Sequence, residues 1–527
     1  MTKRVLLYNG RVHTMAERLT VDSMALRGGV IEAVGNSLQH DRDFRSYQRI
    51  NLRGKNVIPG LVDAHTHFYN VVLALREVSL DGVDSLEKCL ARLRAFAKDK
   101  PKNGWIVGSG FSPDRLKKRI EPDRHLLDDA VGGRPAFIFY KDMHSAWVSS
   151  KALQLAGIDR RTKNLPGGEI VREADGAPSG ILRESPGYGS VYDSVPRPSE
   201  REMMRLYRQA LENIYARGVT GVHTFDGPEA FTWLAGLAEK GKLALRVNYY
   251  APARTLPQLE KAGIRYGAGT EFLRLAGVKI FADGSLGSQT ALCFHKYIGS
   301  KDNYGIEAAS TSEIKKLLRR ASRLGLPGAV HAIGDKAVAQ VIDAMLAVPP
   351  PLGARHRIEH LQMVRPADLK RLRNHEIVAS MQPSHCPSDI HMLRKYWGTR
   401  ARNAYVFRSV IDRGIPLAFG SDAPIEPLDP LTGIVEAVRR AHKGSRDVFH
   451  PEQRITAYEA LHAYTVGAAI AAGEEDRRGY LLPGYPADLV VLDKDLTRTA
   501  PLRLYDIKVL ATFLNGTPRY LARSLKW

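Results

Sequence analysis

Short apolar segments recur through the middle of the chain, and most are followed by a stretch with apolar residues every three to four positions. The segments have the length and flanking glycine and proline residues typical of buried parallel strands. The stretches between them, such as REMMRLYRQALENIYARG and KAVAQVIDAMLAV, have the periodicity of amphipathic helices. The apolar segments are LVDAH, GVTGVHTF, LRVNYYA, GVKIFADG, PGAVHAIG, HRIEHL, IVASMQP and PLAFGSDA. Eight such units predict an α/β fold, a (β/α)8 or TIM barrel.

The two ends of the chain have a different pattern. RVLLYNGRVHTM and DSMALRGGVIEAVGN near the start, and ADLVVLDKD and VLATFLNGTPRY near the end, are typical of strands joined by turns. We predict that residues 1–56 and 480–527 form one composite β-sandwich, and that the barrel spans 57–479. Residues 69–200 separate the first two barrel segments and contain strand-like WIVGSG and PAFIFY. We interpret them as a large insertion that covers the active site.

The composition is that of a soluble globular protein, with 44% hydrophobic and 25% charged residues in 527. The sequence contains no uncharged apolar segment of about 18 residues or more, so we expect no membrane partner. The N-terminal apolar run is too short for a secretory signal. Three cysteines, an odd and sparse set, argue against a disulfide-stabilised fold and favour the reducing cytoplasm.

The formal net charge of +21 raises the question of a nucleic-acid partner. Nucleic-acid binding predicts basic residues clustered beside stacking aromatic residues. Lysine and arginine are instead scattered, and the cluster at 315–320 lies in SEIKKLLRRASRLG, an amphipathic helix whose solvated face carries such charges anyway. We therefore expect a small-molecule substrate and no nucleic acid, and we leave open whether the chain forms a homo-oligomer.

Two histidines one residue apart, His65 and His67, lie at the end of the first apolar segment. In an extended chain, residues i and i+2 point to the same face, so both imidazoles face one point. That arrangement is typical of a divalent metal site. An isolated pair is more often made of ordinary histidines, so the hypothesis depends on further ligands.

Further ligand-type side chains lie at the ends of later predicted strands. With the histidine pair, the set is His65, His67, Lys279, His331, His360 and Asp422. Each has an ordinary alternative as a core histidine, a turn-capping aspartate or a surface lysine. Because the carboxyl ends of barrel strands converge on one mouth, we predict that the six meet there and bind one or two divalent metal ions.

These residues lie in motifs through which the chain resembles the amidohydrolase superfamily of metal-dependent hydrolases. It is most similar to the branch that includes N-substituted formamide deformylase, amidohydrolase family 3. The motifs are PGLVDAHTH, DMHSAWVSSKAL, GGEIVREADGAPSGILRES, GVKIFADGSLGSQTA, HAIGDKA, RIEHLQ, GSDAP and GYPADLVVLD. The resemblance implies that the four histidines and Asp422 are metal ligands, with zinc as the expected ion. Lys279 matches a lysine that is carboxylated and bridges two ions in binuclear relatives.

A lysine among metal ligands needs a chemical explanation, because an ammonium group cannot bind a cation. Burial near metal ions lowers the pKa of a lysine. The neutral amine of Lys279 is then able to react with CO₂ and form an anionic carbamate that bridges two ions. The alternative is an unmodified Lys279 that binds a substrate carboxylate or only packs.

The expected reaction is hydrolysis of an amide, N-formyl or N-acyl C–N bond by a metal-activated hydroxide, with Asp422 as the proton shuttle. The same chemistry serves an esterase or lactonase and a heterocycle deaminase, which stay open as alternatives. A non-catalytic scaffold is the alternative outside enzymes, and the presence of all six ligand-type residues argues against it.

Three other residues in the motifs are candidate substrate-binding residues: His144, Glu184 and Asp283. His144 lies in the insertion, where we expect it to contact the substrate or the oxyanion. The alternative for His144 is a loop histidine without a catalytic role, and Glu184 and Asp283 have a structural role as theirs.

Overall fold

The computed structural model describes residues 4–17, 19–113, 116, 122–141, 143–373 and 377–525. The chain divides into two compact units. The segments up to Tyr69 and from Leu211 onward form the first unit, and Asn70–Ala210 form the second.

The strands of the described residues are, in chain order, β1 (Arg4–Tyr8), β2 (Arg11–His13), β3 (Thr20–Val21), β4 (Ser23–Arg27), β5 (Val30–Gly35), β6 (Gln48–Asn51), β7 (Asn56–Pro59), β8 (Leu61–Thr66), β9 (Val78–Ser79), β10 (Ile106–Phe111), β11 (Ala136–Tyr140), β12 (Ser145–Val148), β13 (Glu169–Arg172), β14 (Pro178–Arg183), β15 (Val219–Thr224), β16 (Arg246–Pro252), β17 (Leu273–Phe281), β18 (Gly328–Ala332), β19 (His356–His360), β20 (Ile377–Met381), β21 (Leu417–Phe419), β22 (Leu489–Leu492), β23 (Val509–Leu514) and β24 (Thr517–Leu521).

The α-helices of the described residues are α1 (Phe68–Ala74), α2 (Leu86–Lys98), α3 (Arg124–Val131), α4 (Ser150–Leu155), α5 (Glu184–Asp193), α6 (Glu200–Tyr215), α7 (Pro228–Glu239), α8 (Leu256–Lys261), α9 (Thr311–Ser322), α10 (Asp335–Ala347), α11 (Pro366–Arg371), α12 (His385–Met392), α13 (Phe407–Ile411), α14 (Pro430–Arg439), α15 (Ala457–Ala463) and α16 (Val466–Ala472). None of the helices within these ranges is both long enough and apolar enough to cross a bilayer.

The centre of the first unit is an eight-stranded parallel sheet in the order β21-β20-β19-β18-β17-β16-β15-β8. Its strands are the eight apolar segments identified in the sequence, in the same order, so the barrel prediction is confirmed. Nearly all their residues are buried, because helices cover the outer face and side chains fill the interior.

The two edge strands of this sheet, β8 and β21, meet at the carboxyl end of β8. Thr66 forms a parallel bridge with Ala423. The His67 N–H donates to the Ala423 carbonyl at 2.8 Å, and the Asp422 N–H donates to the His65 carbonyl at 2.7 Å. This closure brings Asp422, from the last barrel strand, beside the histidine pair of the first.

Both ends of the chain build the predicted sandwich. Its four-stranded sheet has the order β5-β4-β1-β6, and its six-stranded sheet has the order β24-β23-β22-β7-β2-β3. A common core of buried residues joins the two sheets, including Leu7 and Met24 from the first and Val57, Leu489 and Phe513 from the second. Burial of these apolar faces against each other holds the ends of the chain together.

A single glycine connects the sandwich to the barrel. Gly60 lies between β7 and β8, and a Cβ atom added there would lie 2.2 Å from the Thr220 hydroxyl. A larger residue would therefore push β8 away from β15, which contains Thr220. The close approach explains the glycine in the motif PGLVDAHTH.

The second unit, Asn70–Ala210, has its own mixed sheet in the order β13-β14-β12-β11-β10-β9. β10 is parallel to β9 and β11, and the remaining pairs are antiparallel. A buried apolar cluster with Leu93, Leu127, Ile138 and Trp147 forms part of its core. The role of residues 69–200 as a cover over the active site stays a prediction.

Candidate metal centre

The six ligand-type residues lie at the carboxyl ends of their strands. His65 and His67 lie at the end of β8 and just beyond it, and Asp422 follows β21. Lys279, His331 and His360 lie in the last three residues of β17, β18 and β19. The barrel therefore gathers them at one mouth, the position expected for a catalytic site in this fold.

His65 is held in one tautomer by a buried carboxylate. Its Nδ1 lies 2.5 Å from Glu359 Oε2, and both side chains are inaccessible to solvent. Burial lowers the pKa of His65 to about 4, so the ring is neutral at pH 7. Because Glu359 accepts the proton of Nδ1–H, the lone pair lies on Nε2.

The free nitrogen of His65 faces a second carboxylate. His65 Nε2 is buried and has no hydrogen-bond partner among the described residues, and it lies 3.4 Å from Asp422 Oδ1. Although burial raises the pKa of Asp422, the hydrogen bond from His67 holds it well below its usual range, so Asp422 is charged. A lone pair and a carboxylate oxygen therefore face each other with no proton between them.

A cation bound between these two acceptor atoms would interact favourably with both of them. His65, His360 and Asp422 each offer one ligand atom, and these atoms lie within 4.8 Å of one another. His67 Nε2 lies 3.4 Å from the same Oδ1 of Asp422. Nitrogen and carboxylate donors at this spacing fit a divalent transition metal.

The other two histidines lie beside oxygen acceptors, and His331 Nε2 also lies 3.5 Å from the Asp283 carboxylate. His360 Nδ1 lies 2.9 Å from Gln382 Oε1, and His331 Nε2 lies 3.0 Å from the Gly284 carbonyl. Each ring therefore donates one N–H and keeps the lone pair on its other nitrogen. The two rings lie 4.5 Å apart between centroids, so His331 belongs to the same cluster as His360.

Lys279 is buried between the aromatic rings of Phe225 and Phe281. Its Nζ lies 4.7 Å from the centroid of the Phe225 ring and 4.9 Å from that of Phe281, with only 3% of the residue exposed. Burial lowers the pKa of Lys279 to about 8. The pKa is lowered even though Glu359 and Asp422 nearby favour the charged form.

Two residues of the centre have strained backbones. His360 has φ 68° and Asp422 has φ 60°, in the left-handed region that side chains with a Cβ rarely adopt. Strain of this kind persists where the surrounding structure fixes it, and it is concentrated at functional sites. At both positions the left-handed backbone conformation sets the direction of a ligand-type side chain where the strand ends.

Sequence reasoning missed the residues that orient the ligands. Arg357 and Glu359 are fully buried in β19, with Arg357 Nε 2.6 Å from Glu359 Oε1. Although burial raises the pKa of Glu359, Arg357 holds it well below its usual range. Two opposite charges two positions apart in a buried strand were the available signal, in the motif RIEHL.

A fifth histidine also reaches the centre. His385 begins α12, and its Nε2 lies 3.8 Å from Asp422 Oδ2, opposite the oxygen that faces His65 and His67. Its ring lies 6.3 Å from that of His360, nearly parallel to it. The rule that polar residues follow the predicted strands, applied to MQPSHC after the seventh strand, would have found it.

The three predicted substrate-binding residues have defined partners. Asp283 accepts hydrogen bonds from the backbone N–H groups of Leu292 at 2.9 Å and Gly334 at 2.8 Å, so it ties two loops together. In the second unit, His144 Nδ1 lies 2.9 Å from Glu184 Oε2. Contact of the three residues with a substrate stays a prediction.

Comparison with known proteins identifies the family of the chain. A family described as the amidohydrolase family matches residues 48–520. The chain is 32% identical to the protein LONG AFTER FAR-RED 3 of Arabidopsis thaliana over 98% of this chain and 91% of that one. It is 27% identical to N-substituted formamide deformylase of Arthrobacter pascens over 98% of both.

A solved structure is similar over the same length. The crystal structure of an uncharacterized metal-dependent hydrolase from Pyrococcus furiosus superposes with a TM-score of 0.76 and 30% identity, covering 95% of this chain and all of that one. The similarity therefore extends through the barrel and beyond it.

Replacement of His65 by alanine tests the metal centre directly. We expect His65→Ala to lose at least one equivalent of bound metal, because a ligand nitrogen is removed and Glu359 is left without its partner. Elemental analysis after dialysis against zinc measures the loss, and circular dichroism checks the fold. The control is the exposed His295→Ala, which should keep its metal. Full metal content in His65→Ala would contradict the assignment.

Proposed function

The chain belongs to the amidohydrolase family, and on that premise we propose that it hydrolyses an amide-like C–N bond of a small molecule with the help of bound zinc. The observation that carries the proposal is the buried lone pair of His65 Nε2, which faces the charged Asp422 across 3.4 Å. A protein that used this site only for packing would gain nothing from two opposed acceptors, since an unpaired buried polar atom costs free energy.

The residues that would hold the ions in this proposal are those gathered at the mouth. His65, His360 and Asp422 would hold one ion, and the other residues of the set would complete the centre: His67, His331 and Lys279, the last as a carbamate. A divalent ion bound there supplies a Lewis acid, which activates water and polarises the substrate carbonyl.

Asp422 has the proton-transfer role in this proposal. It is charged before the reaction, and its Oδ2 is turned away from His65 and His67. The carboxylate accepts a proton from the attacking water and then donates it to the leaving nitrogen as the C–N bond breaks. The products are a carboxylic acid and an amine. The proton taken from water leaves on the amine nitrogen, so Asp422 is again a carboxylate at the end of the reaction.

The experiment that tests the proposal is a hydrolysis screen of the zinc-loaded protein. We expect turnover of N-acyl or N-formyl compounds, with release of amine. Lactones and aminoheterocycles in the same screen test the two alternatives, and their selective turnover would overturn the amide assignment. Absence of turnover on every class, in a protein that takes up no zinc, manganese or cobalt, would favour the non-catalytic scaffold.

The variant Asp422→Asn separates metal binding from proton transfer. Asparagine still offers an oxygen ligand but takes up no proton at neutral pH. We expect it to retain much of the zinc and to lose about 10²–10⁴-fold in kcat. The exposed Asp447→Asn is the control and should match the wild type. A near-normal kcat in Asp422→Asn would show that another group transfers the proton.

The proposed carbamate on Lys279 is tested by a matched pair of substitutions. Lys279→Glu keeps an anionic bridging side chain, whereas Lys279→Arg keeps a cation that reacts poorly with CO₂. We expect Lys279→Glu to hold more metal than Lys279→Arg, and bicarbonate to assist metal uptake by the wild type alone. Native mass spectrometry should show one added CO₂. A bare amine in the fully loaded, active protein would refute the bridge.

A further inference from the structure

Exposed large apolar side chains are concentrated in one segment at the mouth of the barrel. Of 13 such side chains among the described residues, five lie between positions 281 and 306. They are Phe281, Phe294, Ile298, Tyr304 and Ile306. The segment that follows β17, residues 282–308, is called the β17 excursion below. Apolar surface that stays exposed in one region of a folded protein commonly marks a binding site.

The β17 excursion is tied down, so its exposed side chains are not free to collapse. The Ala308 N–H donates to the Ala282 carbonyl at 2.9 Å, and the Cys293 N–H donates to the Tyr304 carbonyl at 2.8 Å. The Arg400 guanidinium donates to two further backbone carbonyls near the tip, at 3.0 and 2.9 Å. The backbone is therefore held in a paired, hairpin-like course above the strand.

Phe281 is the member of this set that reaches the metal centre. Side chains two positions apart in a strand share a face, so Phe281 lies on the same inward face as Lys279, one layer nearer the mouth. Its ring centroid lies 4.9 Å from Lys279 Nζ and 5.2 Å from that of the His331 ring. The residue is nevertheless 49% exposed.

We propose that Phe281 is the contact for a ring-bearing apolar group of the substrate, and that the enzyme prefers amides that carry such a group. The inference rests on the proposed amide hydrolysis. Because the Phe281 ring lies beside both Lys279 and His331, a substrate whose carbonyl is polarised at this centre has its substituents next to the ring. An apolar substituent on the acyl carbon or on the nitrogen then covers the exposed face, removes it from water and stacks on it.

The test uses amides that differ only in a methyl or a phenyl-bearing substituent, placed on the acyl side or on the nitrogen. We expect the wild type to favour one phenyl-bearing compound at least tenfold in kcat/KM over its methyl counterpart. Phe281→Ala should lose about tenfold on that compound, mainly through KM, and change less than twofold on the methyl one. Phe281→Leu, which keeps an apolar side chain, should fall in between.

The control is Leu352→Ala, which removes an exposed apolar side chain between α10 and β19, outside the excursion, and should change kcat/KM on neither substrate. Equal losses of kcat/KM on both substrates in Phe281→Ala, or no loss on either, would overturn the proposal.

Binding of phenyl-bearing hydroxamate and acetohydroxamate, measured by calorimetry, gives the same comparison without turnover. If no amide is hydrolysed, the proposed function fails, while a phenyl preference in binding that Phe281→Ala abolishes still supports the contact. A change in oligomeric state with unchanged ligand binding would instead assign Phe281 to a subunit interface.

Discussion

The buried ion pair of Arg357 and Glu359 is the interaction on which the centre of the barrel depends. Removing two charges from water is costly, and the cost is recovered only where every donor and acceptor is satisfied. Arg357 meets that condition by donating to Glu359, to the Ala64 carbonyl at 2.6 Å, to Ser380 Oγ at 2.8 Å and to Tyr250 Oη at 2.9 Å. One side chain thereby joins β19 to β8, β20 and β16. Replacing Arg357 by an apolar residue would remove these side-chain bonds between the strands and leave the buried Glu359 carboxylate without a positive charge beside it.

The same pair links the interior of the barrel to its chemistry. Glu359 is kept charged by Arg357, and a charged carboxylate accepts the His65 Nδ1–H more strongly than a neutral acid would, so it fixes the orientation of the ring. The orientation of the first ligand is therefore set by packing deep in the barrel, below the mouth. Closure of the sheet between Thr66 and Ala423 then adds Asp422 from the opposite edge. Ligand geometry in this protein is a property of the whole barrel.

The sequence was sufficient for the parts of this picture that depend on periodicity. The eight strands, the sandwich of the two ends and the convergence of six ligand-type residues follow from apolar patterning and from where each strand ends. The roles of Glu359 and His385 do not, because they depend on distances between strands that no pattern along one strand encodes. A buried charge within RIEHL is visible in the sequence, but its partner, His65, lies 294 positions away. The exposure of Phe281 likewise depends on the course of the excursion above it.

The single-residue junction at Gly60 has a consequence for the order of events during synthesis. β7 is an inner strand of its sheet, paired on one side with β2 and on the other with β22, which lies more than 400 residues later. Until that late segment leaves the ribosome, β7 has an open edge, and β8, joined to it through Gly60, lacks a fixed anchor. Contacts so distant in sequence form slowly. The histidine pair is thus translated early but positioned late, so the proposed metal centre is complete only after almost the whole polypeptide has been made.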